Sequence, residues 1–183
     1  KPSNGYGQRY ALTFTYEDTL HTYVAAVSDS HGYRSGATYD YRFGTPLTRT
    51  DLNGNTIRYQ YDDFGRVEAV WGPYQQGGTD PTLSFEYKPH YQAGGAVPHA
   101  ITRHLDEKAS PKRFIETVLF TDGLKRVLQT KKTGTVYRDG RDTERLLVNG
   151  RVSFDVMGRP QREYYPTDEA PSLRDTLRGI EPD

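Results

Sequence analysis

Between Val24 and Arg66 the chain repeats itself at an offset of 22 residues, and no other feature of the sequence constrains the fold as tightly. Asp29 matches Asp51, Gly32 matches Gly54, Tyr39 matches Tyr61 and Asp40 matches Asp62. Each unit reads as a strand, an Asp-x-x-Gly turn, a strand ending in Tyr-Asp, and a second turn. The units span residues 28–44 and 50–65. Side chains alternate across a strand with period two, so an even offset returns equivalent residues to the same sheet face and lets stacked units keep one apolar stripe. Ala37, Tyr39, Tyr41 and Phe43 are the expected stripe of the first unit, and Ile57, Tyr59 and Tyr61 that of the second.

The second turn carries a phrase that recurs. Residues 58–70, RYQYDDFGRVEAV, read strand, turn, strand, with Asp62, Gly65 and Arg66 at the turn. The phrase returns as Phe154-Asp155-Val156-Met157-Gly158-Arg159-Pro160, and more loosely as Asp122-Gly123-Leu124-Lys125-Arg126-Val127. One motif used three times marks a repeat protein. Two copies depart from the pattern, with Lys125 in the glycine position and Pro160 directly after Arg159, and both departures bear on turn geometry. A carboxylate that accepts turn N–H groups and an arginine fork would fix each hairpin, which is the reading favoured for Asp62 with Arg66 and Asp155 with Arg159. A catalytic or ligand-binding pair is the alternative, weakened because geometry, rather than chemistry, needs the same residue in every unit.

Elsewhere the pattern is also that of strands. Residues 10–16 alternate cleanly, Glu17-Asp18 reads as a turn, and residues 22–27 as the next strand. Residues 72–82 and 88–99 are loops by composition, with a strand at 83–87 between them. Residues 100–106 alternate weakly, 108–112 form a turn, and 115–120 with 126–132 flank the degenerate motif as a hairpin. Residues 136–144 read as an exposed strand or a loop, 145–148 as a short strand, and 152–155 with 161–165 as the last hairpin. The tail has helix-like spacing only at Leu173, Leu177 and Ile180. The expected division is a lead-in at 1–9, tandem hairpins at 10–71, further hairpins with long loops at 72–168, and a tail at 169–183 that is a short helix or disordered.

Composition narrows the function classes. The 15 Tyr and 7 Phe must supply much of the buried surface, and aromatic residues favour strands. Lys plus Arg and Asp plus Glu are both 24, so no net field steers the chain to nucleic acid or an anionic membrane. No apolar run approaches the length that crosses a bilayer. The absence of cysteine removes thiol catalysis, disulfides and cysteine-based zinc sites, while leaving the compartment open. A start at Lys1 suggests a processed chain or an excised piece of something longer.

Candidate chemistry is thin. His21, His31, His90, His99 and His104 show no metal-binding spacing. Asp51, Asn53, Asn55 and Asp62 fall at EF-type positions, but Thr56 stands where that loop needs glycine, and Asn53-Gly54-Asn55 reads better as a tight hairpin. Ser30-His31 lacks a nucleophile elbow, and no phosphate-cradling glycine loop is present. Glu86, Glu116 and Glu163 could pair for glycoside hydrolysis, although nothing fixes their separation. No catalytic, cofactor-binding or metal-ligating residue is assigned, and no cofactor is expected.

The two clear copies of the motif resemble the YD repeat of Rhs proteins. The order Asp51-Leu52-Asn53-Gly54-Asn55, then YQYDDFGRV, then FTDGLKRVLQTKK, then VSFDVMGRPQREYYPT is similar to the B component of bacterial insecticidal Tc toxin complexes and related virulence proteins, over roughly residues 10–168. The resemblance implies an all-β spiral of antiparallel hairpins forming part of a hollow shell around a toxic C-terminal segment of the same or a partner chain. It implies neighbouring YD repeats and that cargo as partners, and a secreted or cell-surface location. The family's self-cleaving aspartate lies in a later region without a counterpart here. The expectation is therefore a non-catalytic shell segment whose turn residues are Asp29, Gly32, Tyr39, Asp40, Asp51, Gly54, Tyr61, Asp62, Gly65, Arg66, Asp122, Arg126, Asp155, Gly158 and Arg159. A glycan-binding adhesion module built on tyrosine-rich strands is the first alternative, and a glycoside-active enzyme the second.

Overall fold

The computed structural model describes residues 10–75, 77–90 and 97–179, so the expected lead-in at 1–9 lies outside the described residues. Every regular element longer than three residues is a strand, and every pairing described below is antiparallel. The chain divides into two compact units, residues 1–82 and 83–183.

The first unit is a six-stranded meander: β1 (Leu12–Tyr16), β2 (Val24–Asp29), β3 (Arg34–Asp40), β4 (Thr45–Thr50), β5 (Thr56–Tyr61) and β6 (Val67–Trp71), each paired with its neighbour in sequence. Short hairpin connections make this order, because strands joined by a few residues lie side by side. The unit buries little: Ala26, Ala69 and Trp71 are its buried apolar residues. Aromatic side chains do the remaining packing. Tyr23 stacks on Tyr39 with ring centroids 4.8 Å apart, and the Arg58 guanidinium lies 3.6 Å from the centre of the Trp71 ring.

The stripe expected in the first repeat stops early. β3 ends at Asp40, so Tyr41 and Phe43 belong to the turn instead of continuing the face of Ala37 and Tyr39. The cause is the length of that turn. The Gly44 N–H donates to the Asp40 carbonyl, four residues back, whereas in the second repeat Gly65 N–H reaches Asp62, three back.

The second unit contains β7 (Leu83–Lys88), β8 (His99–Asp106), β9 (Arg113–Thr121), β10 (Val127–Arg138) and β11 (Arg141–Asn149), again paired in sequence. A separate hairpin follows, β12 (Val152–Phe154) with β13 (Pro160–Glu163), and then β14 (Thr167–Glu169) returns to pair with β11. Here there is a core. Ile101, Val118 and Phe120 are fully buried, with Val97, Leu128 and Leu177 packed against them, and Leu146 and Val148 are buried on β11.

Two segments take a form that the sequence left open. Residues 136–144 are neither loop nor single strand: β10 and β11 meet there in a two-residue turn at Asp139-Gly140, both with positive φ, the twist that matches antiparallel strands. The Asp-Gly dipeptide signals that turn, and the surrounding charges obscure it. β14 ends at Glu169, the first residue of the tail, and the tail then makes one 3-10 turn at Pro171–Leu173. Of its expected apolar anchors, Leu177 joins the core and Ile180 lies outside the described residues.

Candidate functional site: the aspartate turns and the buried lysine

Five turns share one construction. In each, the residue before an aspartate pairs with the residue six further on: Ser28 with Arg34, Thr50 with Thr56, Tyr61 with Val67, Thr121 with Val127 and Phe154 with Pro160. The aspartate carbonyl accepts the N–H three residues on, from Gly32, Gly54, Gly65, Lys125 and Gly158. The aspartate N–H donates to the carbonyl four residues on. One carboxylate oxygen takes two further backbone N–H groups, at i+2 and i+4, with N···O between 2.8 and 3.0 Å. A tight turn leaves those donors without strand partners, and the carboxylate satisfies them locally.

The residue at i+3 has φ between 63° and 87° in every copy. Glycine holds that region without steric cost, while Lys125 adopts it with φ 63° as a strained substitute. Neither departure in the sequence changes the turn: Lys125 takes the glycine conformation, and Pro160 starts β13 at a position whose pairing with Phe154 is kept.

In three copies the residue at i+4 is arginine, and its Nε donates to the second carboxylate oxygen: Arg66 to Asp62 at 2.7 Å, Arg126 to Asp122 at 2.6 Å and Arg159 to Asp155 at 2.8 Å. Asn55 takes that place in the Asp51 turn through Nδ2 at 3.0 Å. For Asp62 and Asp122 desolvation pushes the pKa up, but the N–H and guanidinium donors outweigh it and hold both below the usual carboxylate range. Asp155 is lowered chiefly by the Arg159 N–H, and Asp51 chiefly by Asn55. Asp40, whose turn is longer, is lowered chiefly by Arg42. All five are thereby favoured as anions already committed to the turn.

The turns also touch one another. A Cβ on Gly65 would meet the Phe43 ring at 2.8 Å, one on Gly44 would meet Tyr23 Oη at 2.6 Å, and one on Gly158 would meet Arg126 Nη1 at 2.8 Å. Each of these glycines makes room for a side chain from an earlier turn. Tyr39 Oη donates to the Val24 carbonyl and Tyr61 Oη to the Pro46 carbonyl, in each case 15 residues back. The repeated tyrosine thus ties each unit to the one before.

The other candidates resolve differently. Asp51 and Asp62 lie at opposite ends of β5 in separate turns, so the EF-type set is not assembled, and no cluster of metal-ligating side chains occurs among the described residues. His31 is an exposed turn residue whose N–H donates to Asp29. His99 is buried, with Nδ1 2.8 Å from the Val97 carbonyl and its ring on Phe120. Glu86 and Glu116 do meet, bridged by Arg103 at 2.8 and 2.7 Å. Lys88 first and Arg103 second lower the Glu86 pKa, the direction opposite to that required of a general acid. Glu163 lies on β13, outside that cluster.

Two sites escape sequence reasoning. Lys131 on β10 is 0% exposed and donates to Glu169 at 2.6 Å and to the Leu173 and Thr176 carbonyls, pinning the tail to the sheet. Glu17 accepts the N–H groups of Thr19, Leu20, Thr22 and Tyr23. Burial raises its pKa, but these donors bring it down from the ordinary 4.5 to about 2. A lysine in Lys131-Lys132 and a glutamate in Glu17-Asp18 carry no local signal of either role, because both depend on how the chain folds around them.

A protein in which one aspartate turn closes five hairpins, some of these turns packed against an earlier connection, is a β-hairpin repeat protein. Among solved structures this fold is similar to that of TcdB2-TccC3, with 25% identity and a TM-score of 0.64 over 85% of this chain and 10% of that one. The Photorhabdus luminescens Tc holotoxin pore matches 86% of the chain at 20% identity and a TM-score of 0.65, and the TcdB2-TccC3-Cdc42 structure 86% at 18% and 0.65. The chain is thus close in fold to Tc toxin B and C components, and spans about a tenth of the length of the solved chains it matches. No family model matches the sequence, and no curated protein does.

Proposed function

We propose that this chain is a non-catalytic structural segment of a Tc-type toxin shell, contributing hairpins to a wall that encloses a toxic C-terminal polypeptide. The observation that carries this reading is the fivefold use of one aspartate turn in a chain whose fold matches TcdB2-TccC3 over 85% of its length. A wall needs the same corner many times, and a corner satisfied by its own carboxylate can be repeated without help from the rest of the protein. In this reading Asp29, Asp51, Asp62, Asp122 and Asp155, with Arg66, Arg126 and Arg159, are turn staples.

The surface supports neighbours on the chain's outer edge. Leu12, Phe14 and Tyr16 on β1 are about half exposed, and among the described residues β1 pairs only with β2. An apolar strand with a free edge invites another strand, which a preceding repeat of the parent protein would supply. No helix among the described residues is long and apolar enough to cross a membrane, and the Tc likeness supports a secreted or cell-surface location.

The test is protease protection in the full reading frame that encodes this segment. The C-terminal polypeptide is expected to resist digestion in the native protein and to be cut once denaturant opens the shell. Digestion at the same rate in both states would overturn enclosure.

A further inference from the structure

A cleft of about 300 Å³ in the second unit, between the Asp122 turn, β10, β12 and the tail, holds polar groups that the fold leaves unused. Gln129 on β10 is 0% exposed, and neither Oε1 nor Nε2 has a hydrogen-bond partner. Arg151, just before β12, keeps its guanidinium 4.1 Å from the centre of the Tyr164 ring, with Nε and Nη1 buried and without an acceptor. Ser153 Oγ is buried and unpartnered as well. A buried amide with nothing to bond is costly, so three such residues on one cleft mark a place prepared for a bound group.

The charges select its class. Of the arginines that line the cleft, Arg126 is neutralised by Asp122 and Arg178 is paired with Glu169. Arg151 has no carboxylate partner among the described residues, which leaves one uncompensated cation. The unfilled groups are mostly donors: the Arg151 nitrogens, the Gln129 amide N–H and the Ser153 hydroxyl. Leu128, Val152 and Leu177 make the remaining wall apolar. One positive charge, several donors and an aliphatic wall suit a monoanion on a carbon chain and disfavour a phosphate dianion.

We infer that this cleft is a carboxylate-binding site, in which Arg151 receives the anion, Gln129 and Ser153 complete its hydrogen bonding, and the aliphatic wall takes the carbon chain behind it. The carboxylate could be the side chain of an acidic polypeptide segment or a small aliphatic acid. Both present the same group, and the inference stands apart from the shell reading.

The experiment titrates the whole chain with sodium butyrate, with a blocked Gly-Glu-Gly peptide and with inorganic phosphate, following the side-chain NMR signals of Arg151 Nε–H and Gln129 Nε2. Saturable shifts of both with butyrate or the peptide are expected, with phosphate no better than chloride. Shifts with the peptide alone would identify a polypeptide source; shifts with butyrate as well would identify a small acid. Arg151→Met should abolish the response. Gln129→Leu, which removes an unsatisfied buried amide and so should fold at least as well, should weaken binding at least tenfold. Absence of carboxylate-dependent shifts in the folded protein, an equal response to phosphate, or unchanged binding in folded Gln129→Leu would overturn the assignment.

Discussion

The two units of the chain reach order by different means. The first, through Thr82, has few buried apolar residues and is organised by neighbours: aspartate turns, tyrosines that bond 15 residues back, and glycines that admit the aromatic of an earlier turn. The second, from Leu83, reuses the same turn twice, yet also buries Ile101, Val118 and Phe120 and fastens its tail through Lys131 and Glu169, 38 residues apart. A repeat stabilised by adjacent contacts can be extended indefinitely, whereas a unit stabilised by distant contacts has a defined end. The first unit is therefore held mainly by contacts between adjacent hairpins, and the second by contacts between segments far apart in sequence.

The comparison breaks most readily at the lysine. Glu169→Ala leaves the Lys131 ammonium buried with only carbonyl partners, and removing one member of a buried ion pair costs about 3–5 kcal/mol. The loss should fall on the second unit. Trp71, the single tryptophan, lies on β6 and reports the first unit by fluorescence, while amide exchange on β10 and β11 reports the second. Faster exchange there with an unshifted Trp71 transition is the expected result. An equal shift in both would show that the units do not differ in this way.

The first unit should yield to a change that adds a single carbon. Gly54 and Gly65 both have positive φ, but a Cβ on Gly54 meets nothing within 4 Å, and one on Gly65 meets the Phe43 ring at 2.8 Å. Gly54→Ala should cost about 1 kcal/mol from backbone strain alone, and Gly65→Ala measurably more. The difference between their urea midpoints isolates the packing of one turn on another. Equal midpoints would mean that the packing of the Gly65 turn on Phe43 adds nothing to stability.

How much of this was legible follows from the range of each interaction. The Asp62, Asp122 and Asp155 turns could be read because their donors and acceptors lie within four residues of each other. Lys125 blurred the middle copy without hiding it, because a side chain in the glycine position conceals a backbone conformation that the surrounding hydrogen bonds nonetheless impose. The longer Asp40 turn was missed because Tyr39-Asp40 matches Tyr61-Asp62 in letters, and one extra residue before Gly44 changes the geometry. Lys131, Gln129 and Arg151 were not legible at all. Their partners, or lack of them, arise when β10, β12 and the tail come together, and no spacing encodes that.

Acid sharpens the contrast within the first unit. The Glu17 carboxyl titrates near 2 in the folded chain and near its ordinary 4.5 when the loop is released. The folded value is the lower one, so its contribution is present above pH 4.5 and is lost as the pH falls from there to about 2. Residues 18–23 should lose amide protection across that window, and Glu17→Gln should flatten the dependence. A loop that stays protected at pH 2 would place its stability in contacts other than the four N–H groups of Glu17.

The smallest expected effect tests whether the turn is a common part in both units. Lys125 holds φ 63° where the other four turns have glycine, and a side chain in that region costs roughly 1–2 kcal/mol. Lys125→Gly removes the strain but adds flexibility to the unfolded chain worth roughly 0.5–1 kcal/mol, so a net gain of about 0.5 kcal/mol is expected. The gain should appear in β9 and β10 exchange and leave Trp71 unmoved. If the glycine variant is less stable, then the Lys125 side chain makes a contribution that the shared hydrogen bonds do not contain, and the five turns are alike in geometry without being interchangeable in energy.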